Sequence, residues 1–226
     1  MKFGLKSALA VTVAVGALSA APSRAELIPG VSLTPELSVS TLGIGPELDL
    51  QVAGLPFGLR AGGNFFSLSR NISSNDIEYH GKVDLQSGGL TLDWYPLGSG
   101  FRLSGGARLN GNKATVDALP SNSTVTVNHV TYSTAGSSLN GQITFKDVAP
   151  YAGLGYSSTF IGGLTLGIDA GAMFQGTPRT ALNAQGPITL LPGFAANLAA
   201  EQVSLQDKVK DFTIYPVVQF TIGWRF

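Results

Sequence analysis

The chain has 226 residues, with 14 basic and 14 acidic side chains, two histidines and no cysteine. The lack of cysteine excludes disulfides, thiolate catalysis and cysteine-held iron–sulfur clusters, and the balanced charge gives no electrostatic case for nucleic-acid binding. After the N-terminal region, no stretch approaches the ~20 consecutive apolar residues of a membrane-spanning helix. The length fits a single domain.

The N-terminal segment has the pattern of a secretory signal peptide. Lys2 and Lys6 precede a run of small and apolar residues over 8–20, and Ser23-Arg24-Ala25 gives a small-x-small cleavage site. We expect residues 1–25 to be cleaved, leaving one mature domain over 26–226. Cleavage after Ala21 is the less favoured alternative, because Pro22 follows it. The removed segment carries three basic residues and no acidic one, so the mature chain is weakly acidic.

Turn and loop signals divide the mature chain into eight segments of alternating polarity, which we interpret as strands. They span 31–40, 41–52, 57–70, 80–95, 101–116, 142–157, 163–177 (with a ragged extension to 184) and 213–226. Short turns at 53–56, 96–100 and 159–162 alternate with longer loops at 71–79, 117–140 and 178–211. Short periplasmic turns and long outer loops are typical of outer-membrane barrels, although regular strand spacing alone also fits a sandwich.

The last long loop contains the one predicted helix, over 193–210. Phe194, Leu198, Leu205 and Val209 fall near one stripe of this segment, interrupted by Glu201. We expect the helix to cap the outer rim of the barrel. A partner-binding or membrane-surface role is the alternative.

Each predicted strand has one apolar and one polar face. In the last strand Phe220, Ile222 and Trp224 alternate with Thr221 and Arg225, and the second strand places its leucines, Leu42 included, opposite its carboxylates. In a transmembrane barrel the apolar face meets lipid and the polar face lines the lumen. The charged residues of the polar faces are four acids and four arginines: Glu47, Asp49, Asp93, Asp169, Arg60, Arg102, Arg108 and Arg225.

These eight charges predict an ion-pair network inside the barrel. An eight-stranded barrel is just wide enough for side chains to fill it, and buried charges are stable only when they are paired. Arginine suits such pairing because its planar group bonds a carboxylate with two N–H groups. The sequence therefore predicts an all-β protein, an eight-stranded antiparallel transmembrane β-barrel with one short helix, whose lumen is plugged by this network.

The inverse arrangement, a lipocalin-like cup with apolar residues inside, is the main structural alternative. The aromatic residues argue against it, because they gather near the two predicted membrane interfaces. The periplasmic set is Phe57, Trp94, Tyr95, Phe101, Tyr156, Phe160, Trp224 and Phe226. The outer set is Phe65, Phe66, Phe145, Phe174, Phe212 and Tyr215.

Two features do not fit simple alternation. In the fourth strand Val83 and Leu85 share the parity of Asp93, which indicates either a bulge near 86–89 or a strand that leaves the bilayer. Pro46, Pro150 and Pro216 fall within predicted strands, although a closed barrel has no free edge that would tolerate a proline. Pro150 and Pro216 are expected at the outer rim, and Pro46 has no explanation from the sequence.

Several motifs together resemble small outer-membrane β-barrel proteins of Gram-negative bacteria, of the OmpA-transmembrane-domain and OmpW-like kind. They are the signal peptide, the glycine-rich stretch 41–45, the stretch 151–156 and the ending 220–226. The resemblance implies a bacterial outer-membrane location and contact with membrane lipid. It also implies insertion by the barrel-assembly machinery, which would read Phe220, Ile222, Trp224 and Phe226.

The sequence offers little for catalysis. His80 lies near Asp76 and Glu78, and His129 lies with Asp117 in a loop rich in serine and threonine, but no catalytic, zinc or nucleotide motif accompanies them. We therefore expect no enzyme activity, metal or cofactor. Two functions remain open: a plugged scaffold whose outer loops contact an unidentified partner, and a narrow channel or carrier for small or apolar solutes, as the OmpW resemblance implies.

Overall fold

A computed structural model of the chain describes residues 29–74, 77–98, 100–118 and 124–226, so the predicted signal peptide lies outside the described residues. The strands are β1 (Val31–Ser40), β2 (Gly43–Val52), β3 (Phe57–Ser74), β4 (Ile77–Trp94), β5 (Phe101–Asn110), β6 (Lys113–Ala118), β7 (Thr124–Val127), β8 (Val130–Ser133), β9 (Ser138–Thr144), β10 (Val148–Thr159), β11 (Leu164–Phe174), β12 (Arg179–Gln185) and β13 (Ile214–Trp224). The helix α1 spans Phe194–Val209.

Eight of these strands form a closed antiparallel barrel, which confirms the predicted fold class. Its wall runs β1-β2-β3-β4-β5-β10-β11-β13, and β13 returns to pair with β1 between Glu36↔Gly223 and Ser40↔Gln219. Both described ends of the chain lie at the end with the short turns. By the usual rule for such barrels this end is periplasmic, and the opposite end faces outward.

The barrel wall has its apolar side outward and its polar side inward. Along β13, Val218, Phe220 and Ile222 are exposed while Gln219 and Thr221 are buried. The same alternation runs along the other barrel strands, where the exposed large side chains are leucine, isoleucine, valine and aromatics. A continuous apolar exterior would be unstable in water and is suited to lipid. This sidedness excludes the lipocalin-like cup.

Part of the wall continues beyond the outer rim. The outer halves of β3 and β4 carry on with β6, β9 and β12 as a sheet in the order β3-β4-β6-β9-β12, which we call the external sheet. The register of β3 with β4 is unbroken from Phe57↔Trp94 to Ser74↔Ile77. No bulge therefore shifts β4 near 86–89, and the fourth strand instead leaves the bilayer.

The predicted strands over 101–116 and 142–157 are each interrupted, which corrects their bounds. The first stops at Gly111 and Asn112, where the Gly111 N–H donates to Gln86 O and the Gln86 N–H donates to the Asn112 side chain, at 2.8 and 3.0 Å. The second breaks between Thr144 and Val148. At the first break Asn112 takes the place of a ladder partner through its side chain, and at the second break the Asn110 N–H donates to Asp147 O at 2.7 Å.

The predicted loop over 117–140 contains the β7–β8 hairpin. Its two turn residues, Asn128 and His129, have φ of 47° and 65°, as in the turns that suit two-residue hairpins. The predicted helix is confirmed as α1, but it packs against β12, β7 and the short helical turn Pro187–Leu190 of the external part. Within the described ranges, no helix is long and apolar enough to cross a membrane.

Pro46, Pro150 and Pro216 each lie at a position that lacks a pairing partner on one of the two neighbouring strands. The β2–β3 ladder is interrupted between Ile44↔Phe65 and Glu47↔Gly62, which leaves Pro46 outside it. Pro150 precedes the first β10–β11 pair, and Pro216 lies beyond the last β1–β13 pair. A residue without an N–H is tolerated at such positions, so the structure explains Pro46 as well.

Candidate functional site: the barrel lumen

The lumen is lined by the inward-facing residues of all eight barrel strands. Since successive side chains of a strand point to opposite faces, every second residue from each strand enters the interior. Seven of the eight charged residues that the sequence assigns to the lumen are buried there: Glu47, Asp49, Arg60, Asp93, Arg102, Arg108 and Asp169. The eighth, Arg225, is half-buried near the periplasmic end.

Arg60 of β3 is the centre of the contacts. Its Nε and Nη2 donate to the two carboxylate oxygens of Asp93 on β4, at 2.5 and 3.1 Å. Its Nη1 donates to Glu47 on β2 at 3.1 Å and to Asp169 on β11 at 3.2 Å. Ser104 of β5 completes the set, accepting from Arg60 and donating to Asp93. One guanidinium thus joins three carboxylates from three other strands.

Arg102 forms the second strong pair of the lumen. Its Nε and Nη2 donate to the two oxygens of Asp169 at 3.0 and 2.7 Å, and the arginine is 1% exposed. Gly155 lies between the two residues in register, opposite Arg102 on one side and Asp169 on the other. A Cβ at Gly155 would overlap Asp169 Oδ1 and lie 3.1 Å from Arg102 Nε. The glycine therefore leaves the space that the ion pair occupies.

Arg108 is buried in the lumen but bonds neutral groups. Its Nη1 donates to Asn64 Oδ1 at 3.3 Å, and its guanidinium carbon lies 5.0 Å from the centre of the Tyr151 ring. Asn64 in turn donates to Ser38 Oγ at 2.8 Å. The contacts of Arg108 are thus an amide and an aromatic face, which attract a cation without neutralising it.

Asp49 and Arg225 lie outside the cluster centred on Arg60. The register places Asp49 opposite Arg60, but within the described part of the chain its Oδ1 has no hydrogen-bond partner. Arg225 Nε lies 3.4 Å from Thr34 Oγ1 near the periplasmic end. The structure therefore joins five of the eight residues, Glu47, Arg60, Asp93, Arg102 and Asp169, and places Arg108, Asp49 and Arg225 around them.

Two lumen residues, Glu36 and Ser104, were missed from the sequence, whereas Gln219 lies on the polar face that alternation predicts for the last strand. Glu36 of β1 is buried directly opposite Glu47, and Gln219 of β13 donates to Glu47 Oε2 at 2.8 Å. Ser104 bridges Arg60 and Asp93. Alternation could have found Glu36, because it shares its parity with Thr34 and Ser38 in the short first strand. With Glu36 included, acidic side chains outnumber arginines in the lumen.

An apolar cluster lies at the outer end of the lumen. Leu42, placed on the lipid face by the sequence, is instead fully buried against Ala149, Tyr151, Met173 and Val217. It sits in the tight turn between β1 and β2, where strand alternation no longer decides the direction of a side chain. The Thr41 hydroxyl fixes this turn by donating to Pro216 O on β13 at 2.9 Å.

Tyr95 lies at the periplasmic end of the lumen. The sequence assigns it to the periplasmic aromatic set, but it is 5% exposed, and its ring lies beside Gly58, close to Asp49. It follows the last residue of β4, so strand parity carries its ring inward. The lumen thus has aromatic or aliphatic side chains near both ends and charges between them.

The two histidines lie outside the lumen. His80 Nδ1 is 2.6 Å from Asn71 Oδ1, and His129 is an exposed turn residue of the β7–β8 hairpin. Asp117 accepts a hydrogen bond from Asn140 on the neighbouring β9. Among the described residues, no group of three or more His, Cys, Asp or Glu could hold a metal ion.

The closed wall of eight antiparallel strands, the apolar exterior and the charged interior define a transmembrane β-barrel of the outer-membrane class. Barrels of this construction belong to bacterial outer membranes, so the chain is placed in the outer membrane.

Two solved structures support this fold. CarO2 of Acinetobacter baumannii is 21% identical with a TM-score of 0.56, and the match covers 86% of this chain and 98% of that one. CarO of the same organism is 23% identical with a TM-score of 0.54, covering 90% and 100%. No protein-family model and no curated protein matches the chain.

Proposed function

We propose that this barrel is a plugged outer-membrane scaffold, which carries the external sheet and α1 for a structural or interaction role outside the cell. The observation that carries the proposal is the burial of the lumen. Arg60, Asp93, Arg102 and Asp169 are each at most 4% exposed. A water-filled channel would leave the side chains that line it accessible, and these four are packed against one another.

The energetics of the ion pairs support a rigid plug. Arg60 and Arg102 each bond a carboxylate through two parallel N–H groups. This two-point geometry is stronger than a single hydrogen bond and fixes the orientation of both side chains. In a low-dielectric interior, separating such pairs leaves an uncompensated charge and costs several kcal/mol for each ion. Opening a path for ions through the centre requires that separation.

Planar-bilayer conductance tests the proposal. The wild-type barrel is expected to give no steady channels, whereas Arg102→Ala combined with Arg108→Ala removes two buried side chains and is expected to give measurable current. Lys82→Ala is the control, since Lys82 lies on the external sheet and pairs with Asp84 there. Steady wild-type channels would contradict the plug.

The second candidate is a narrow channel or carrier for small or apolar solutes. The observation that favours it is the excess of acid in the lumen, where Glu36 faces Glu47 and Asp49 Oδ1 has no partner among the described residues. A lumen with one sign of charge in excess attracts ions of the other sign. Wild-type conductance selective for cations in a salt gradient would establish this alternative.

A further inference from the structure

The external sheet is amphipathic, with its apolar face on the side continuous with the lumen. The register aligns Val83, Ala114 and Ile143 across β4, β6 and β9, and Val116, Gly141 and Leu182 across β6, β9 and β12. The opposite face carries polar residues, among them Lys82, Asp84, Lys113, Thr115 and Gln142. Above the membrane the apolar face must be covered to be stable in water.

The β7–β8 hairpin and α1 cover only part of this face. Together with the turn Pro187–Leu190 they form a core of Val127, Tyr132, Ile188 and Phe194, with Leu139 of β9 and Leu198 of α1 packed beside it. Val116 on the sheet remains 47% exposed. The covering layer therefore packs onto the sheet at Leu139 but leaves it open at Val116.

Polar side chains of α1 hold the helix in place on both sides. Gln206 accepts from the Thr180 N–H and donates to Pro178 O, and Gln202 accepts from the Leu182 N–H, all at the edge of β12. Asn197 donates to the Tyr132 hydroxyl on the hairpin. These contacts fix the distance between helix and sheet without filling the space between them.

That space is a cleft of about 360 Å³. Its floor is Val116, Gly141 and Ile143 of the sheet, and its walls include Val127 of the hairpin and Leu205 of α1. Protein interiors are normally packed as densely as organic crystals, so an apolar space of this size is unusual. Ligand pockets have volumes of about 300–1,000 Å³ and a mainly apolar lining with few polar groups.

Glu201 is the one charged side chain among the residues that line this cleft. Its Oε2 accepts the Asn128 N–H at 2.9 Å, which holds the carboxylate at the hairpin side of the cleft. Asn140 and Gln142 also border the cleft, but their side chains lie on the polar face of the sheet. A ligand that suits these walls has an apolar body and a positively charged or hydrogen-bond-donating head.

We propose that the cleft between the external sheet and α1 binds a small amphiphile with an apolar chain and a cationic head, with the head against Glu201. The site lies outside the lumen, so it does not depend on whether the barrel conducts.

The test uses the barrel in phosphatidylcholine nanodiscs with ¹³C-labelled isoleucine methyl groups, because Ile143 lies in the cleft. The probes are octyltrimethylammonium and octyl sulfate, which share a chain and differ in the sign of the head. We expect a saturable shift of the Ile143 methyl signal with the cation, and at least about tenfold weaker binding of the sulfate, as for the loss of one charge-assisted contact.

Matched variants separate the head from the chain. Glu201→Gln keeps an acceptor for Asn128 and is expected to weaken binding of the cation about tenfold, whereas Asp207→Asn, an exposed acid on the same helix, leaves it unchanged. Val116→Trp fills the cleft and abolishes the Ile143 shift. Equal affinity for the two probes, an unaffected Glu201→Gln variant or the lack of a saturable Ile143 shift would each overturn the proposal.

Discussion

Replacing Arg60 by methionine tests whether the lumen charges hold the barrel together. The change keeps most of the side-chain volume and removes every N–H that reaches Asp93, Glu47 and Asp169. Asp169 retains its pair with Arg102, and Glu47 retains Gln219. Asp93 loses its only ion-pair partner among the described residues, although Ser104 still donates to it.

Arg60→Met is expected to lower the free energy of unfolding by the amount that breaking one buried ion pair costs. Removing one partner of such a pair costs about 3–5 kcal/mol, because the remaining charge stays buried without compensation. The free energy of unfolding is measured by urea titration of the barrel folded into lipid vesicles, with fluorescence of Trp94 and Trp224 as the signal. Adding Asp93→Asn to Arg60→Met removes the orphaned charge, so we expect it to recover part of the loss.

Two control variants separate the effect of losing a buried ion pair from the effect of losing any basic side chain. Arg108→Met removes another buried arginine, whose partners are neutral, and should cost clearly less than Arg60→Met. Lys210→Met breaks an exposed pair with Asp207 and should cost less than about 1 kcal/mol. If Arg60→Met costs no more than Lys210→Met, the reasoning about buried pairs in this lumen is wrong.

Three further predictions follow from the same contacts. Gly155→Ala forces a Cβ into the ion pair between β5 and β11 and should destabilise the barrel by about 2–4 kcal/mol in the urea titration, whereas Gly105→Ala, with open space around it, should not. Gln206→Ala removes the acceptor of the Thr180 N–H, so hydrogen exchange at that amide should accelerate while exchange in the barrel stays constant. Phe226→Ala should slow assembly by purified barrel-assembly machinery without changing the free energy of unfolding of the folded barrel by more than about 1 kcal/mol. Unchanged assembly kinetics would contradict the prediction that the machinery reads Phe226.

Much of the membrane part of the fold could be predicted from the sequence because one physical rule governs it. Lipid outside and a narrow interior force apolar and polar residues to alternate, and this pattern is visible in the segments that became β2, β5, β11 and β13. The external part obeys no such rule. The β7–β8 hairpin depends on the left-handed conformation of Asn128 and His129. The surrounding sequence, which is rich in serine and threonine, does not predict that conformation.

The sequence could predict which charged residues line the lumen, but not which arginine bonds which carboxylate. Alternation identifies which charges point inward, but a long arginine can reach past its nearest neighbour. Arg60 lies opposite Asp49 in register and instead bonds Asp93, Glu47 and Asp169. Such choices depend on distances across the barrel, which the sequence does not contain.

The fourth strand shows how a sequence can reveal where a strand leaves the membrane. Within the barrel, Asp93 and Thr91 point inward and Leu92 outward, whereas above it Val83 shares the inward parity and Lys82 the outward one. A bulge would produce the same inversion of polarity, but it would also shift the register with β3, and that register is constant along all of β4. The inversion therefore comes from the surroundings: the outer face of the wall meets lipid below the rim and water above it. A change of polarity at constant register thus marks the outer membrane boundary, and it explains why the face that holds ions in the lumen becomes the apolar face of the external sheet.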